Sequence, residues 1–495
     1  MIRKTSVQRS LATAKQIDSE RIVRLSQLLF SIVRGKLVAM HKKLILFLGL
    51  IILFCSSLAL QAQEKMTLEQ AIQLALVHDP RIDEKEAFVR KAQGLLQEAE
   101  GSEGFRFSVD SFLAIANGVD GGFYSGGEDS CSSNCSPRDD LYDLNDGLSL
   151  WGGLTFSIVK PLATFGRLEN YQEAAQNNIV IKQQDVTLQK DETGLQVVKA
   201  YYGYLAARDG RLLLEDTRGR LVAAIELVQG WLDDGSGNAS QSDLFALQSG
   251  LGLIDNFLAE AGGLESIAMA GLKLLTGRDE EIIELADRRL SPLSLPAESL
   301  DEWIELARQH RVEFKQVSAG LTARRALVEA TRAEEKPIVF AGVAGSLAYA
   351  PGRDTLDNPY VNDPFNHAAM SPIIGMRWQW DQGAQPARVV QAQADLDALV
   401  HKASYARLGI PFQVREQYFT MQAKYQAIGS MRNSSKAARR WMISAYSDFE
   451  AGLEEADKII SALQAYALSY AEYLRAVNDF NNHVSKLRSV SGVFQ

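Results

Sequence analysis

Apolar residues in this chain follow two different periods, and the period changes in a fixed order. Over 67–99 they recur every three to four residues, which predicts helix. Over about 105–116 and 148–159 apolar and polar residues alternate, which predicts two strands. Two helical patterns follow, over about 166–233 and 240–276. The first of them would be roughly 100 Å long at 1.5 Å per residue, a length typical of coiled-coil packing rather than of a globular core.

The second half of the chain repeats this order. Helical patterns begin at 299, and strands are predicted over about 338–349 and 372–381. Long helical patterns then cover about 383–451 and 453–491. We therefore expect one structural unit, a short helical pair, a β-hairpin and a very long helical hairpin, to occur twice.

Individual residues repeat in step with the pattern. The segment 196–202 recurs as 413–419 at a shift of 217 residues, and His78 recurs as His310 at a shift of 232. Each copy also opens with a capping-box signature, in which a hydroxyl residue precedes a Gln or Glu three positions later. These pairs are Thr67 with Gln70 and Ser299 with Glu302. The repeats are assigned to 63–278 and 299–495, with a linker at 279–298.

The beginning of the chain carries an export signal. Lys42 and Lys43 precede an apolar run that ends near Ala62, so 40–62 reads as a cleaved secretory signal peptide. A signal anchor that stays in the membrane is the alternative, although the run is short for a span. Residues 1–39 precede a methionine that could itself start translation. We favour their interpretation as an over-extended N-terminus, and a real extension is the alternative.

The strand patterns suit a membrane β-barrel. Each strand of about ten residues presents one apolar and one polar face, as lipid-facing and lumen-facing residues do in such barrels. A soluble antiparallel sheet gives the same alternation and stays open as the alternative. Trp378 and Trp380 fit an interfacial aromatic belt under the first interpretation and a core under the second.

Charge and cysteines narrow the class of protein. The net charge is −9, and basic residues concentrate before position 62, so the exported part is acidic and nucleic acid is excluded as a partner. Cys131 and Cys135 lie four positions apart in the first interstrand loop, and in an exported chain they predict a local disulfide. A metal site there would need further ligands, and no histidine is near.

No catalytic pattern is legible. The six histidines show no metal-ligand spacing, and the paired glycines of the first interstrand loop lack the strand and Lys-Ser/Thr that a phosphate loop requires. We therefore predict no enzyme and no cofactor.

The chain resembles the outer-membrane efflux protein (TolC) family over about Met66 to Gly492. The resemblance rests on 67–72 with Asp79-Pro80, on Lys160-Pro161-Leu162 running to Phe165-Gly166, and on the second exit segment at 378–383. It implies an α+β membrane protein that forms a homotrimer, with a twelve-stranded outer-membrane β-barrel on a periplasmic α-helical barrel. It also implies a passive exit duct for efflux or type I secretion, recruited by a periplasmic adaptor and an inner-membrane transporter.

In that family the tips of the inner helices close the periplasmic mouth. The resemblance places the tips around Gly237 and Gly452, which are expected to contact the adaptor. Asp243 matches the acidic position of the first tip. We hypothesise that Asp243 pairs with Lys458 of the second tip as a latch.

The second tip departs from the family pattern. Positions that hold pore aspartates in the family are Lys458 and Ser461 here, with Asp457 next to the first of them. The closing tyrosine and arginine of the family fall at Phe449 and Glu454. An aspartate ring is therefore not carried over. The rival function class is a periplasmic coiled-coil scaffold without channel activity.

Overall fold

The computed structural model describes residues 65–121, 124, 136–137, 147–237, 239–279, 282–356 and 359–494. The predicted N-terminal extension at 1–39, the signal peptide at 40–62 and the pair Cys131 and Cys135 lie outside the described residues.

Twelve helices and strands in the described residues follow the chain order of two copies. The first copy holds α1 (Leu68–His78), α2 (Pro80–Gly101), β1 (Arg106–Asn117), β2 (Leu148–Ala163), α3 (Arg167–Asp233) and α4 (Gln241–Thr276). The second holds α5 (Leu300–His310), α6 (Val312–Ala333), β3 (Ile338–Tyr349), β4 (His367–Arg377), α7 (Ala384–Glu450) and α8 (Ala456–Val490). In the described part of the chain, no helix is both long enough and apolar enough to span a bilayer.

The helices α3 and α7 have 67 residues each and occupy equivalent places in the two copies. Both capping boxes are present, with Thr67 and Ser299 accepting from backbone N–H groups three residues on. A helix of this length cannot bury its surface against itself, and each returns through a partner, α3 with α4 and α7 with α8.

The last strand differs from its prediction. β4 spans His367–Arg377, whereas alternation predicted 372–381, so that assignment was wrong by four to five residues at each end. The period-two pattern runs on through Trp378 and Trp380, but these residues follow the strand and pair with no neighbour in the β3–β4 ladder. β2 is also longer than predicted, because it continues past Pro161 through a bulge.

The four strands form one antiparallel sheet in the order β1-β2-β3-β4. The register places side chains of directly opposed residues on the same face, for example Val109, Phe156, Gly345 and Met370 in one row. One face is apolar: Phe107, Val109, Leu113 and Ile115 of β1, Leu150, Leu154, Phe156 and Ile158 of β2, Val343, Leu347 and Tyr349 of β3, and Met370, Ile374 and Met376 of β4.

The opposite face carries small polar groups. Its central rows hold Ser108, Asp110, Thr155, Ser157, Ser346 and Ser371. Both faces of the outer strands are exposed, and on the apolar face Leu113 is 77% and Met370 71% exposed. Among the described residues β1 and β4 each pair along one edge only. The sheet therefore ends in two open edges.

The linker between the two copies is hydrogen-bonded to a long helix of each copy. Tyr201 of α3 donates to the Asp287 carboxylate at 2.8 Å, and the backbone N–H of Leu290 donates to Asp209 at 2.8 Å. Leu293 N–H donates to Asn481 of α8 at 2.9 Å. Separately, Met66 and Leu285 form a short parallel bridge.

The two copies use one polar network with its charges exchanged. In the first, Arg81 donates to the Asp79 carboxylate and to Gln196, both at 2.8 Å. Asp79 is 6% exposed and also accepts from Thr193.

In the second copy the residue equivalent to Asp79 is Arg311. Its guanidinium donates to Glu313 at 2.7 Å and to Gln413 at 3.1 Å. Gln413 is the repeat equivalent of Gln196, so the pair has reversed its polarity while its glutamine partner has stayed.

We expect Asp79→Arg to lower the free energy of unfolding by about 3 kcal/mol, because it removes a buried anion and places two cations together. The double variant Asp79→Arg/Arg81→Glu recreates the second copy's arrangement and should recover most of that loss. Thermal unfolding of the two variants and the wild type measures this. A double variant as unstable as the single one would show that the networks are not equivalent.

Candidate gate at the paired helical tips

Each long hairpin turns at a glycine in the left-handed backbone conformation. Gly237 has φ +74° and Gly452 has φ +68°, values that residues with a Cβ rarely adopt. Gly237 follows the end of α3, and Gly452 follows the end of α7. These two turns are the tips of the hairpins.

The two tips pack together through one apolar cluster. Phe449, at the end of α7, is 1% exposed, and its ring lies 5.2 Å from the ring of Trp231 on α3. The buried members of the cluster come from both hairpins: Leu221, Ala224, Val228, Leu244, Leu247 and Ile254 from the first, and Met442, Ala445, Phe449, Ala456, Ile459, Ala462 and Leu463 from the second. Hydrophobic burial therefore joins the tips.

Asp243 adds a polar link between them. Its carboxylate accepts from the N–H of Ser240 at 2.8 Å and from the Ser240 hydroxyl at 2.6 Å, which closes the capping box of α4. The backbone N–H of Ala456 on α8 also lies close enough to lower the pKa of this carboxylate. The residue that precedes α8, Glu455, makes no side-chain cap. A carboxylate of the first hairpin therefore lies near the uncapped N-terminus of α8, where a negative charge is favourable.

The pKa of Asp243 reflects this environment. Burial acts to raise it, but the hydrogen bonds from Ser240, together with the nearby backbone N–H of Ala456, outweigh burial and hold the pKa below its ordinary 3.8. Because the folded pKa is depressed, the stabilisation is present above about 3.8 and is lost as pH falls through the folded value.

Two expectations about this region can be compared with the structure of one copy. Among the ion pairs of the described residues none joins Asp243 to Lys458; the Asp243 carboxylate accepts from Ser240, and a latch to Lys458 stays a prediction. Phe449, which stands at the position of the family's closing tyrosine, is buried in the tip cluster. A phenyl ring cannot hydrogen bond, and apolar residues of both hairpins bury it.

The remaining predicted gate residues lie on the surface of the second tip. Glu454, Asp457, Lys458 and Ser461 are exposed, while Ile459 between them is buried. Their role in lining a pore stays a prediction.

We expect Asp243→Ala to weaken the tip by about 1 kcal/mol at neutral pH, the usual cost of losing a cap. Hydrogen exchange of the Ser240 amide, which donates to this carboxylate, and of the first-turn amides of α8 measures the effect directly. Asp243→Asn keeps an oxygen acceptor and should retain most of the protection. In acid the wild type should approach the alanine variant. Equal exchange in the wild type and the alanine variant at neutral pH would show that the cap contributes nothing.

A second surface of interest is an open apolar trough of about 1020 Å³ bounded by α3, α4 and α8. Each helix presents to it a stripe with heptad spacing, three and four residues apart in alternation. The stripes are Gln196, Lys199, Gly203, Ala206, Gly210 and Leu213 on α3, Gly250, Leu253, Phe257, Glu260, Leu264, Ile267 and Gly271 on α4, and Ile460, Gln464, Ala467, Ala471, Leu474 and Asn478 on α8.

This trough was missed in the sequence, although its signal is present there. The α3 stripe is rich in glycine and alanine, and the α4 stripe is bulky, with Leu264 60% and Ile267 69% exposed. Heptad stripes are the pattern that receives a further helix in a coiled coil. A heptad count along α4 alone would have shown two apolar stripes. One of them packs against α3, and the other faces the trough.

Comparison with solved structures places this fold. The outer membrane protein VceC of Vibrio cholerae superposes with a TM-score of 0.68 at 14% identity, over 86% of this chain and 97% of VceC. The outer-membrane channel OprN gives a TM-score of 0.68 at 16% identity, over 86% of this chain and 89% of OprN. The chain has the TolC-family fold.

Sequence comparison adds one relative to this TolC-family fold. Protein CyaE of Bordetella pertussis is 28% identical over 253 residues, which cover 50% of this chain and 49% of CyaE. The chain thus matches about half the length of this curated relative. No family model matches the sequence.

Proposed function

We propose that this protein is the outer-membrane exit duct of a tripartite efflux or type I secretion system, a passive channel rather than an enzyme. The observation that carries the proposal is the two-faced sheet. It exposes an apolar face on one side and a row of hydroxyls on the other, and it continues into two helical hairpins of coiled-coil length. A soluble protein does not leave such a face to water.

Closure of the sheet requires several copies. Four strands cannot close a barrel, and open edges cannot face lipid because their N–H and C=O groups would lack partners. Pairing β4 of one copy with β1 of the next removes both edges. Three copies give twelve strands, with the apolar face toward lipid and the hydroxyl face toward a lumen.

Residues at the helix-side end of the apolar face support the orientation in which this face meets lipid. Lys160 shares the apolar face at its helix-side end and lies 5.5 Å from the ring of Phe105. Trp378, which is 60% exposed, and Trp380, which is 72% exposed, follow β4 at the same end. A lysine that reaches out of lipid and exposed tryptophans are typical of a membrane interface. The periplasm then lies on the side of the helices.

A periplasmic adaptor and an inner-membrane transporter complete the proposed system. We propose that the tips at Gly237 and Gly452 are the end of the duct that contacts the adaptor in the periplasm. We further assign the trough to a helix of the adaptor, because three heptad stripes roughly 26–32 Å long suit one helix of about 18–22 residues.

The proposal is tested by fractionation. A detergent-extracted trimer from outer membranes, whose migration on gels shifts after heating, is the expected result. Recovery in a soluble fraction without detergent would favour the coiled-coil scaffold instead.

The trough assignment makes a separate prediction. Leu264→Asp and Ile267→Asp should each reduce adaptor affinity at least tenfold, because burial of such a side chain contributes about 1.5–3 kcal/mol. Both side chains are exposed, so the fold should persist. Ala259→Asp, on an exposed part of α4 outside the trough, is the matched control. Affinity of the purified trimer for the adaptor measures the effect; loss of the trimer itself would mean that the trough binds a second copy.

A further inference from the structure

The loop between β3 and β4 folds over the hydroxyl side of the sheet at its outer end. Ser149 of β2 lies opposite Ala116, on the polar face, and its hydroxyl accepts the N–H of Gly352 at 2.8 Å. A Cβ on Gly352 would lie 2.8 Å from the Cβ of Ser149. The loop backbone thus rests directly on the sheet, where a side chain would not fit.

The described residues of this loop are held by hydrogen bonds of their own. Asp363 is 7% exposed, and its carboxylate accepts from the N–H groups of Leu356 at 3.0 Å, Phe365 at 2.9 Å and Asn366 at 3.1 Å. Asn366 in turn accepts from Ala350 N–H at 2.8 Å. A carboxylate with three backbone donors holds a turn rigidly.

The loop completes a row of contacting aromatic rings on the same face, called the stack below. The rings of Phe112 and Trp151 meet edge to face at 4.7 Å, and those of Trp151 and Phe365 are tilted to each other at 4.8 Å. The guanidinium of Arg353 lies 3.8 Å from the Phe365 ring. The stack therefore runs from β1 across β2 to the loop, and a cation covers its end.

Arg353 also fastens this loop to the other hairpin. Its guanidinium donates to the backbone oxygen of Asn117 at 2.8 Å and to the Asn117 side chain at 2.7 Å. Val119 N–H donates to Gly352 at 3.0 Å, and Asp354 N–H donates to Val119 at 2.8 Å. The outer ends of the two copies are thus joined by backbone and side-chain bonds.

We propose that the stack of Phe112, Trp151, Phe365 and Arg353 is a constriction that limits the size of solutes at the outer mouth of the duct. The inference rests on the proposed function, since it needs the hydroxyl face to line a lumen. Three copies would then place three such stacks around one axis, above the hydroxyl rows. Bulky solutes are held back there, and Arg353 keeps the loop in place.

Thiol labelling from outside the cell tests this. Ser157→Cys puts a thiol on the hydroxyl face below the stack, and Met370→Cys puts one on the apolar face. A small maleimide should label the Ser157→Cys variant rapidly, and a polymer-linked maleimide should label it slowly. Adding Phe365→Ala or Arg353→Ala should raise the labelling rate of the polymer-linked maleimide several-fold. Tyr349→Ala, at the same height on the apolar face, should leave the rate unchanged.

The outcomes separate the two proposals. The constriction would be overturned if the polymer-linked maleimide labelled the Ser157→Cys variant as fast as the small maleimide and if Phe365→Ala left that rate unchanged. The duct itself would not be contradicted by this result. Ready labelling of the Met370→Cys variant by both reagents would mean that lipid does not cover the apolar face, and the duct itself would fail. Phe365→Ala lies in the loop, so it tests the constriction even if Arg353→Ala misfolds.

Discussion

Met370→Arg is expected to abolish assembly in the outer membrane, although the wild-type side chain is 71% exposed. Met370 lies in the central row of the apolar face, beside Gly345 and across the sheet from Phe156 and Val109. An arginine at the middle of a lipid-facing strand costs about 2–4 kcal/mol, and three copies bring this to roughly 6–12 kcal/mol per trimer.

The adjacent residue provides the control. Ser371 is exposed on the hydroxyl face of the same strand, and Ser371→Arg should assemble normally because it would face water in the lumen. In a soluble scaffold both variants should fold within about 0.5 kcal/mol of the wild type, since both positions are exposed. The heat-sensitive trimer band in outer membranes is the readout. Equal trimer yields for the two arginine variants would exclude a lipid-facing sheet.

Phe449→Ala is expected to separate the two tips. The ring is 1% exposed and contacts Trp231, and removing a buried phenyl group costs about 3–5 kcal/mol. Residues near the tips should lose hydrogen-exchange protection, while β1 to β4 should keep theirs. If the tips narrow the duct, the variant should also conduct more than the wild type.

Phe245→Ala is the matched control for this effect. Phe245 lies on α4 of the same tip but is 58% exposed, so its loss should cost little. Exchange at the tips that is unchanged in Phe449→Ala would show that the apolar cluster does not hold the hairpins together.

The sequence was sufficient for the repeat and the long helices because their signals extend over tens of residues. It was insufficient for β4, because the alternation of Trp378 and Trp380 continues where strand pairing has already ended. The alternation of apolar and polar residues indicates which face of a strand each side chain would occupy. Whether the segment pairs as a strand depends on hydrogen bonds to the neighbouring strand.

The tips show a second limit. Asp243 was expected to pair with Lys458, whereas its recorded hydrogen bonds go to Ser240 of its own hairpin. Phe449 stands where the family has its closing tyrosine, and the resemblance does not reveal that it lies in an apolar cluster drawn from four helices. The exchanged pair of Asp79 and Arg311 needed coordinates too, since opposite charges at equivalent positions look like divergence in sequence.

Single-channel recording of the purified trimer in planar lipid bilayers shows whether the protein is a passive duct. A duct narrowed at its tips should give uniform conductance steps, larger for Phe449→Ala than for the wild type. Folded protein that inserts no conducting unit, with Phe449→Ala equally silent, would contradict it.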